Sequence, residues 1–170
     1  MGYEEHQQQS QAITCRFAVI TLSDTRTPET DTSGQTISRL LTEAGHRVGF
    51  YKLMPDDPVE QFSAVLENCL VDHKIDAVIT NGGTGIAQRD LAVPAIEKFI
   101  DSPLPGFGEL FRMLSYEQIG SGAMASRALG GIARRKPVFA LPGSTKAVEL
   151  AMTKLILPEI RHLLGELRKK

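Results

Sequence analysis

The stretch Ala77-Val78-Ile79-Thr80-Asn81-Gly82-Gly83-Thr84-Gly85 joins a continuous apolar run directly to a glycine-rich loop. Two further apolar runs lead into loops with small hydroxyl residues: residues 17–20 lead into Thr21-Leu22-Ser23-Asp24, and residues 138–141 lead into Pro142-Gly143-Ser144-Thr145-Lys146. Strands that are covered on both faces of a parallel sheet show such continuous runs instead of alternation. The three runs are therefore predicted to be buried parallel strands.

Helical patterns lie between these runs. Apolar residues recur at helical spacing over residues 37–44, with Thr32 or Ser33 available to cap the helix start and Gly45 placed to end it. A second helix is expected to start with Asp57 as its cap and Pro58 at its first position. A third follows Asp90.

The C-terminal helical region is expected to begin near Thr145 and to be interrupted or kinked by Pro158. Strands that alternate with helices at this spacing indicate an α/β fold, a three-layer α/β/α sandwich with a mainly parallel sheet. Residues 14–168 are assigned to a single domain. Residues 1–13 are rich in Gln and contain little to bury, so they are predicted to be a disordered tail.

The composition and charge of the chain disfavour several classes of function. The chain has 170 residues, a formal net charge of -1 and no Trp, which disfavours a nucleic-acid-binding role. Its apolar runs are too short for a membrane span and it has no signal-peptide pattern, so a cytoplasmic protein is expected. Cys15 and Cys69 are expected to fill the core, and His46, His73 and His162 to lie at the surface.

The three loops that follow the predicted strands share small hydroxyl residues, and two of them contain glycine. The carboxyl ends of parallel strands meet at one edge of a sheet, where such folds bind ligands. Glycine there lets backbone N–H groups approach an anion, Thr84, Ser144 and Thr145 add donors, and Lys146 adds a positive charge. Each loop by itself could be only a tight turn or a helix cap. Together they predict a phosphate site.

Acidic residues are predicted at the same edge. Asp24, Asp56 and Asp90 follow strands or glycine loops, where bare carboxylates would repel phosphate. Carboxylate and phosphate oxygens are the ligands that Mg²⁺ prefers, so the pattern predicts a magnesium–phosphate site. The alternative is that Asp24 initiates a turn and Asp90 caps the next helix.

From about residue 17 to residue 164, the sequence resembles the molybdenum-cofactor synthesis proteins of the MoaB/MogA type, also called molybdopterin adenylyltransferases, and it looks most like the MoaB branch. The motifs that carry the resemblance are Thr21-Leu22-Ser23-Asp24, Asp31-Thr32-Ser33-Gly34, Met54-Pro55-Asp56, residues 80–85 with Arg89-Asp90, Pro105-Gly106-Phe107-Gly108-Glu109, Ser126-Arg127 and Leu141-Pro142-Gly143.

The resemblance implies that the protein uses ATP and Mg²⁺ to attach AMP to the terminal phosphate of molybdopterin, with release of pyrophosphate. It implies that Asp56 and Asp90 are the catalytic acids, and that they bind the metal together with Asp24. The implied nucleotide- and phosphate-binding residues are Ser23, Gly82, Gly83, Thr84, Gly85 and Arg89. The implied molybdopterin-binding residues are Ser126, Arg127, Pro142, Gly143, Ser144 and Lys146.

The attacking phosphate oxygen would already be anionic and would need no general base, which favours Asp56 and Asp90 as metal ligands over proton acceptors. Two alternatives stay open: a non-catalytic molybdopterin-binding or scaffold protein, and a different nucleotide or sugar-phosphate enzyme on the same scaffold. The resemblance also implies a homo-oligomer, a trimer or a hexamer, and a molybdenum insertion protein as a partner. The predicted interface residues are Phe107, Phe111, Met113 and Tyr116.

Overall fold

A six-stranded sheet lies at the centre of residues 13–169, which a computed structural model of the protein describes. The strands follow the order β2-β1-β3-β6-β5-β4 across the sheet. Their bounds are β1 Arg16–Leu22, β2 Arg47–Met54, β3 Ala77–Asn81, β4 Ser102–Pro103, β5 Leu129–Ala133 and β6 Lys136–Leu141. The sheet is parallel from β2 to β6, whereas β5 and β4 are antiparallel to their neighbours.

Helices cover both faces of this sheet. Their bounds are α1 Thr32–Glu43, α2 Val59–Val71, α3 Ala92–Glu97, α4 Pro105–Ile119, α5 Thr145–Ala151 and α6 Leu157–Arg168, with a 3₁₀ helix at Gly120–Ala125 and a π-helical turn at Met152–Ile156. Alternate residues of β1 pack into different cores, Phe17 and Val19 into one and Ala18 and Ile20 into the other. The predicted three-layer sandwich is confirmed.

The three strands predicted from apolar runs are confirmed as β1, β3 and β6, which occupy the middle of the sheet. The other three strands were not predicted. The edge strand β2 is largely exposed and has no continuous apolar run, while β5 contains Gly130 and Gly131 and β4 has two residues. Strands of this kind lack the apolar signal that burial on both faces produces.

The helix starts differ from those expected. Asp31, not Thr32 or Ser33, caps α1, and its carboxylate accepts a hydrogen bond from the Gly34 N–H at 3.0 Å. Pro58, not Asp57, occupies the cap position of α2. A proline immediately before the helix moves the start one residue later than the sequence pattern indicated.

The ends of the helices agree with the sequence predictions better than their starts do. Gly45 has a φ of +81° and follows the end of α1, as expected for a residue that leaves the helix in a left-handed conformation. The C-terminal helical region changes to a π-helical turn at Met152–Ile156, and Pro158 lies in the first turn of α6. The predicted interruption near Pro158 is confirmed.

Residues 1–12, most of the predicted tail, lie outside the described residues. Ile13 was assigned to that tail, but its side chain packs against the core and its carbonyl accepts a hydrogen bond from Arg161 Nε at 3.1 Å. The folded domain therefore includes Ile13. Cys15 and Cys69 are buried, as expected. Between residues 13 and 169, no helix is both long enough and apolar enough to cross a membrane.

The expectation that His46 lies at the surface is wrong. The side chain is 4% exposed, its Nδ1 accepts a hydrogen bond from the Cys15 N–H at 3.2 Å, and its ring packs edge-on against Phe17. Burial lowers the pKa of His46, and the positive charge of Arg161 lowers it further. The folded protein therefore holds His46 in its neutral form.

This burial predicts a pH-dependent stability. Below about pH 6.5 the unfolded chain binds a proton that folded His46 accepts only at lower pH, so the free energy of unfolding should fall as the pH decreases. His46→Asn should flatten this part of the profile, because an amide oxygen can accept the Cys15 hydrogen bond without titrating. Urea unfolding between about pH 7.5 and 5.5 measures the effect. The exposed His73 provides a control, His73→Asn, which should keep the wild-type slope; an equal slope for His46→Asn would contradict the explanation.

Candidate functional site

The loops that follow β3 and β6 meet at the carboxyl edge of the sheet. The Gly82 N–H donates to the Leu141 carbonyl at 3.0 Å, and a Cβ at Gly143 would lie 3.4 Å from the Gly82 Cα. The loop after β1 joins them, because the Gly82 backbone also packs on Leu22. The structure thus brings together three loops that lie far apart in the sequence.

Two of these loops, those after β3 and β6, border a cleft of about 430 Å³. The residues from the predicted site that line it are Gly82, Gly83, Thr84, Gly85, Asp90, Ser126, Pro142, Gly143 and Ser144. The remaining lining residues come from α4, the 3₁₀ helix and the start of α5: Phe111, Ser115, Ile119, Gly122, Ala123, Ala125 and Ala147. The cleft therefore has a polar, glycine-rich side and a more apolar side.

Glycine is required in the loop after β3 because other atoms come very close to it. Gly82 has a φ of +93°, and a Cβ there would lie 2.1 Å from the Leu22 carbonyl oxygen. A Cβ at Gly83 would lie 2.5 Å from Asp56 Oδ1, and a Cβ at Gly85 would lie 2.6 Å from Asp90 Oδ2. The missing side chains let two carboxylates lie directly against the loop.

Asp56 has an unusual environment for a carboxylate. Its Oδ1 is buried and has no hydrogen-bond partner. Burial, followed by the negative charges of Asp24 and Asp90, raises the pKa of Asp56 to about 6, while Arg89 acts in the opposite direction. Asp24 and Asp90 therefore lie close enough to Asp56 to disfavour its negative charge.

Asp90 is held by its own loop. Its Oδ2 accepts a hydrogen bond from the Ala87 N–H at 2.9 Å, and its backbone carbonyl accepts one from Arg127 Nη2 at 2.7 Å. The alternative that Asp90 caps the following helix is wrong, because Leu91 occupies the cap position of α3 and no side chain caps it.

Arg127 supports the glycine loop and does not line the cleft. Its backbone N–H donates to the Thr84 carbonyl at 3.3 Å, and its guanidinium holds the Asp90 carbonyl. Its Nε is buried without a hydrogen-bond partner. The geometry gives Arg127 a supporting position behind Thr84 and Asp90.

Other predicted site residues, Asp56 among them, are also absent from the cleft lining. Ser23 Oγ accepts hydrogen bonds from the Thr25 and Arg26 N–H groups, both at 3.3 Å, so Ser23, rather than Asp24, organises the turn after β1. Asp24 and Arg89 are exposed. Lys146 lines an adjoining groove of about 790 Å³, which shares Ser115, Ile119, Ser144 and Ala147 with the cleft.

The acidic side chains near the cleft supply only part of the ligand set that a metal ion needs. Within residues 13–169, no three His, Cys, Asp or Glu side chains are arranged to hold a metal ion by themselves. Magnesium in nucleotide sites commonly uses one or two carboxylates, with water and substrate phosphates completing the coordination. The unpartnered Asp56 Oδ1, close to two further carboxylates, fits a partial site of this kind.

A buried polar network next to the cleft was not predicted as part of the site. At its centre is the fully buried Asp31, whose carboxylate accepts hydrogen bonds from Thr21 Oγ1 at 2.6 Å, Tyr51 OH at 2.7 Å and the Gly34 N–H at 3.0 Å, and pairs with Arg26 at 3.3 Å. Burial acts to raise the pKa of Asp31, but these partners hold it below its usual range. The motif Asp31-Thr32-Ser33-Gly34 was the available signal, although its partners lie on other elements.

Fold and cleft together define an α/β protein with a cleft at the carboxyl edge of a mainly parallel sheet, the edge where such folds bind ligands. Residues 18–162 match the family described as "Probable molybdopterin binding domain". A relative from Bacillus cereus, named Molybdenum cofactor biosynthesis protein B, is 50% identical over 174 residues, which cover 100% of each chain. The chain belongs to this family of molybdenum cofactor biosynthesis proteins, and membership assigns it to that biosynthetic pathway.

Solved structures agree with this assignment. A crystal structure of Molybdenum cofactor biosynthesis protein B is 50% identical, has a TM-score of 0.89, and is matched over 93% of this chain and 98% of that chain. The tungsten cofactor synthesizing protein MoaB from Pyrococcus furiosus is 36% identical, has a TM-score of 0.80, and is matched over 92% and 98% of the respective chains.

The crowding at Gly82 predicts a large loss of stability on substitution. Gly82→Ala should lower the free energy of unfolding by more than about 2 kcal/mol, because the new Cβ would overlap the Leu22 carbonyl in a left-handed backbone conformation. Chemical denaturation measures the change. Gly106→Ala is a matched control, since a Cβ there meets nothing within 4 Å, and it should be neutral or slightly stabilising. Similar effects of the two substitutions would contradict the geometry.

The environment of Asp56, in contrast, predicts that a substitution there increases the stability of the protein. Its raised pKa means that ionisation destabilises the folded protein as the pH rises from about 4 through about 6. Asp56→Asn should therefore increase the free energy of unfolding by about 1 kcal/mol at neutral pH without divalent cations, allowing for the partial exposure of the group. The gain should disappear near pH 4. The neighbouring exposed Asp57→Asn should show no such gain, and a destabilised Asp56→Asn would disprove the prediction.

Proposed function

We propose that this protein is a magnesium-dependent molybdopterin adenylyltransferase. The observation that carries the proposal is the buried, unpartnered Asp56 Oδ1, which lies near Asp24 and Asp90 and against Gly83, a residue that lines the cleft. A carboxylate in this position is unfavourable by itself and becomes favourable when a divalent cation neutralises it. Phosphate oxygens in the cleft would complete the coordination of that cation.

The proposed reaction joins two phosphates. A terminal phosphate oxygen of molybdopterin attacks the α-phosphorus of ATP, the new P–O bond forms AMP-linked molybdopterin, and the bond to the β-phosphate breaks to release pyrophosphate. The protein aligns the two anionic substrates through the loop of Gly82 to Gly85, while Asp56 and Asp90 hold the cation. Bound Mg²⁺ supplies the charge neutralisation that the transfer needs.

The size and shape of the site support two substrates. The cleft of about 430 Å³ and the groove of about 790 Å³ share lining residues, so two ligands could lie side by side with their phosphates adjacent. Lys146 in the groove contributes a positive charge beside Ser144. The names of the relatives refer to molybdenum cofactor biosynthesis, and one structural relative is described as a tungsten cofactor synthesizing protein. Because the names differ in the metal and the family description names molybdopterin, we infer that the pterin, more than the metal, defines the shared ligand.

A second candidate is a protein that binds molybdopterin without transferring AMP. One observation favours it: among the described residues that line the cleft, none is Lys or Arg, and Arg127 is held behind the loop. Two polyanions would then depend on backbone amides and a bound cation for neutralisation. This candidate predicts molybdopterin binding with little affinity for ATP.

The proposal includes a homo-oligomer. Phe107 and Phe111, two of the predicted interface residues, are buried in the core, whereas Met113 and Tyr116 are exposed. The exposed large apolar residues on α4 and the 3₁₀ helix are Leu110, Met113, Tyr116, Ile119 and Met124. Their proximity along one segment supports contact with a second copy of the chain.

The decisive experiment is an adenylylation assay. Purified protein with molybdopterin, ATP and Mg²⁺ should yield adenylyl-molybdopterin and equal amounts of pyrophosphate, and chelation of Mg²⁺ should stop the reaction. Asp56→Asn and Asp90→Asn should lower the rate by roughly 100-fold or more, since each removes a charge that holds the cation. Asp57→Asn is the control and should retain activity. Molybdopterin binding without ATP binding or pyrophosphate release would favour the second candidate.

A further inference from the structure

The Gly143 carbonyl is held by two side chains from the segment between β1 and α1. Arg26 Nη2 donates to it at 2.9 Å, and Ser33 Oγ donates to it at 2.6 Å. The loop after β6 is thereby attached to a part of the chain more than a hundred residues earlier. Most loop carbonyls at a protein surface bond to water and are not held in one orientation in this way.

Arg26 joins three groups at once. Besides the Gly143 carbonyl, its Nη1 donates to Ser33 Oγ at 2.8 Å and to Asp31 Oδ1 at 3.3 Å. A guanidinium presents its donors in a rigid plane, so it can hold three acceptors in one arrangement, whereas a lysine ammonium presents a single point of charge. Its side chain is 27% exposed, so it lies at the boundary of the folded core.

This arrangement lies behind the cleft. Gly143 lines the cleft, but Arg26 and Ser33 do not. Gly143 also packs closely against Gly82, since a Cβ added at Gly143 would lie 3.4 Å from the Gly82 Cα. A shift of the Gly143 peptide would therefore change the distance between two glycine loops that border the same ligand space.

We propose that Arg26, together with Ser33, is a positioning residue that holds the Gly143 loop against the Gly82 loop in the orientation that accepts a phosphate-bearing ligand. The inference rests on the proposed function only for the chemical class of that ligand. Neither residue contacts the ligand in this proposal. Both act through the Gly143 carbonyl.

The contribution of Arg26 can be separated from the stability of the core. Without Arg26, the Asp31 carboxylate keeps the hydrogen bonds from Thr21, Tyr51 and the Gly34 N–H. The buried Asp31 carboxylate thus keeps hydrogen-bond donors. The main loss is one of the two donors to the Gly143 carbonyl, together with the hydrogen bond from Arg26 to Ser33. The fold should therefore tolerate a change at Arg26 better than one at Asp31.

The test is a titration with inorganic pyrophosphate and Mg²⁺ by calorimetry, on the full chain and well below its melting temperature. Arg26→Met should raise the dissociation constant of pyrophosphate about tenfold, and Arg26→Lys should restore little of the loss. Ser33→Ala should weaken binding as well. The double variant Arg26→Met with Ser33→Ala should lose less than the sum of the two single losses, because Arg26 also donates to Ser33 Oγ and each single change already disturbs the other donor. Arg168→Met, which removes an exposed ion pair with Asp76, is the control and should bind as the wild type does.

Unfolding curves of every variant distinguish positioning from a purely structural role. Loss of affinity with a retained folded population supports the inference. Wild-type affinity in both Arg26 variants, or losses that follow only the unfolded fraction, would overturn it, as would a wild-type protein that binds no pyrophosphate. A wild-type protein that binds pyrophosphate but forms no adenylyl product would remove the proposed reaction and leave this inference standing.

Discussion

The close approach of backbones at Gly82 is the constraint on which the rest of the site depends. Its N–H bonds to the last residue of β6, its Cα packs on Gly143, and the Leu22 carbonyl occupies the space of a side chain. Three parallel strands can end this close together only where their loops lack a Cβ. The close contact joins the loops after β3 and β6 into one cleft, and the missing side chains at Gly83 and Gly85 let Asp56 and Asp90 reach the loop after β3.

Two carboxylates near this junction show how environment decides the role of an acid. Asp31 is fully buried but has four partners, and its pKa stays below the usual range, so it serves as a fixed structural anion. Asp56 is less buried but has an oxygen without a partner and two acidic neighbours, and its pKa rises to about 6. The first charge is neutralised inside the protein, whereas the second is available to a cation from outside.

Sequence reasoning succeeded where a pattern is local and strongly repeated. The apolar runs of β1, β3 and β6 identified the centre of the sheet, and the glycine loops that follow them identified the edge that carries the cleft. It failed where the determining contact is tertiary. The edge strand β2 has little burial to mark it, and His46 looks like any polar residue after a helix.

The sequence by itself determined the three-layer α/β architecture, the family and two of the loops that border the cleft, because apolar periodicity and sequence motifs depend on residues that are neighbours in the chain. Only the tertiary structure decided which side chains line the cleft and which support it from behind. Ser33 and Arg26 reach Gly143 across more than a hundred residues, and the Asp56 carboxylate lies against Gly83. Such contacts depend on the order and twist of the strands, so no local pattern specifies them.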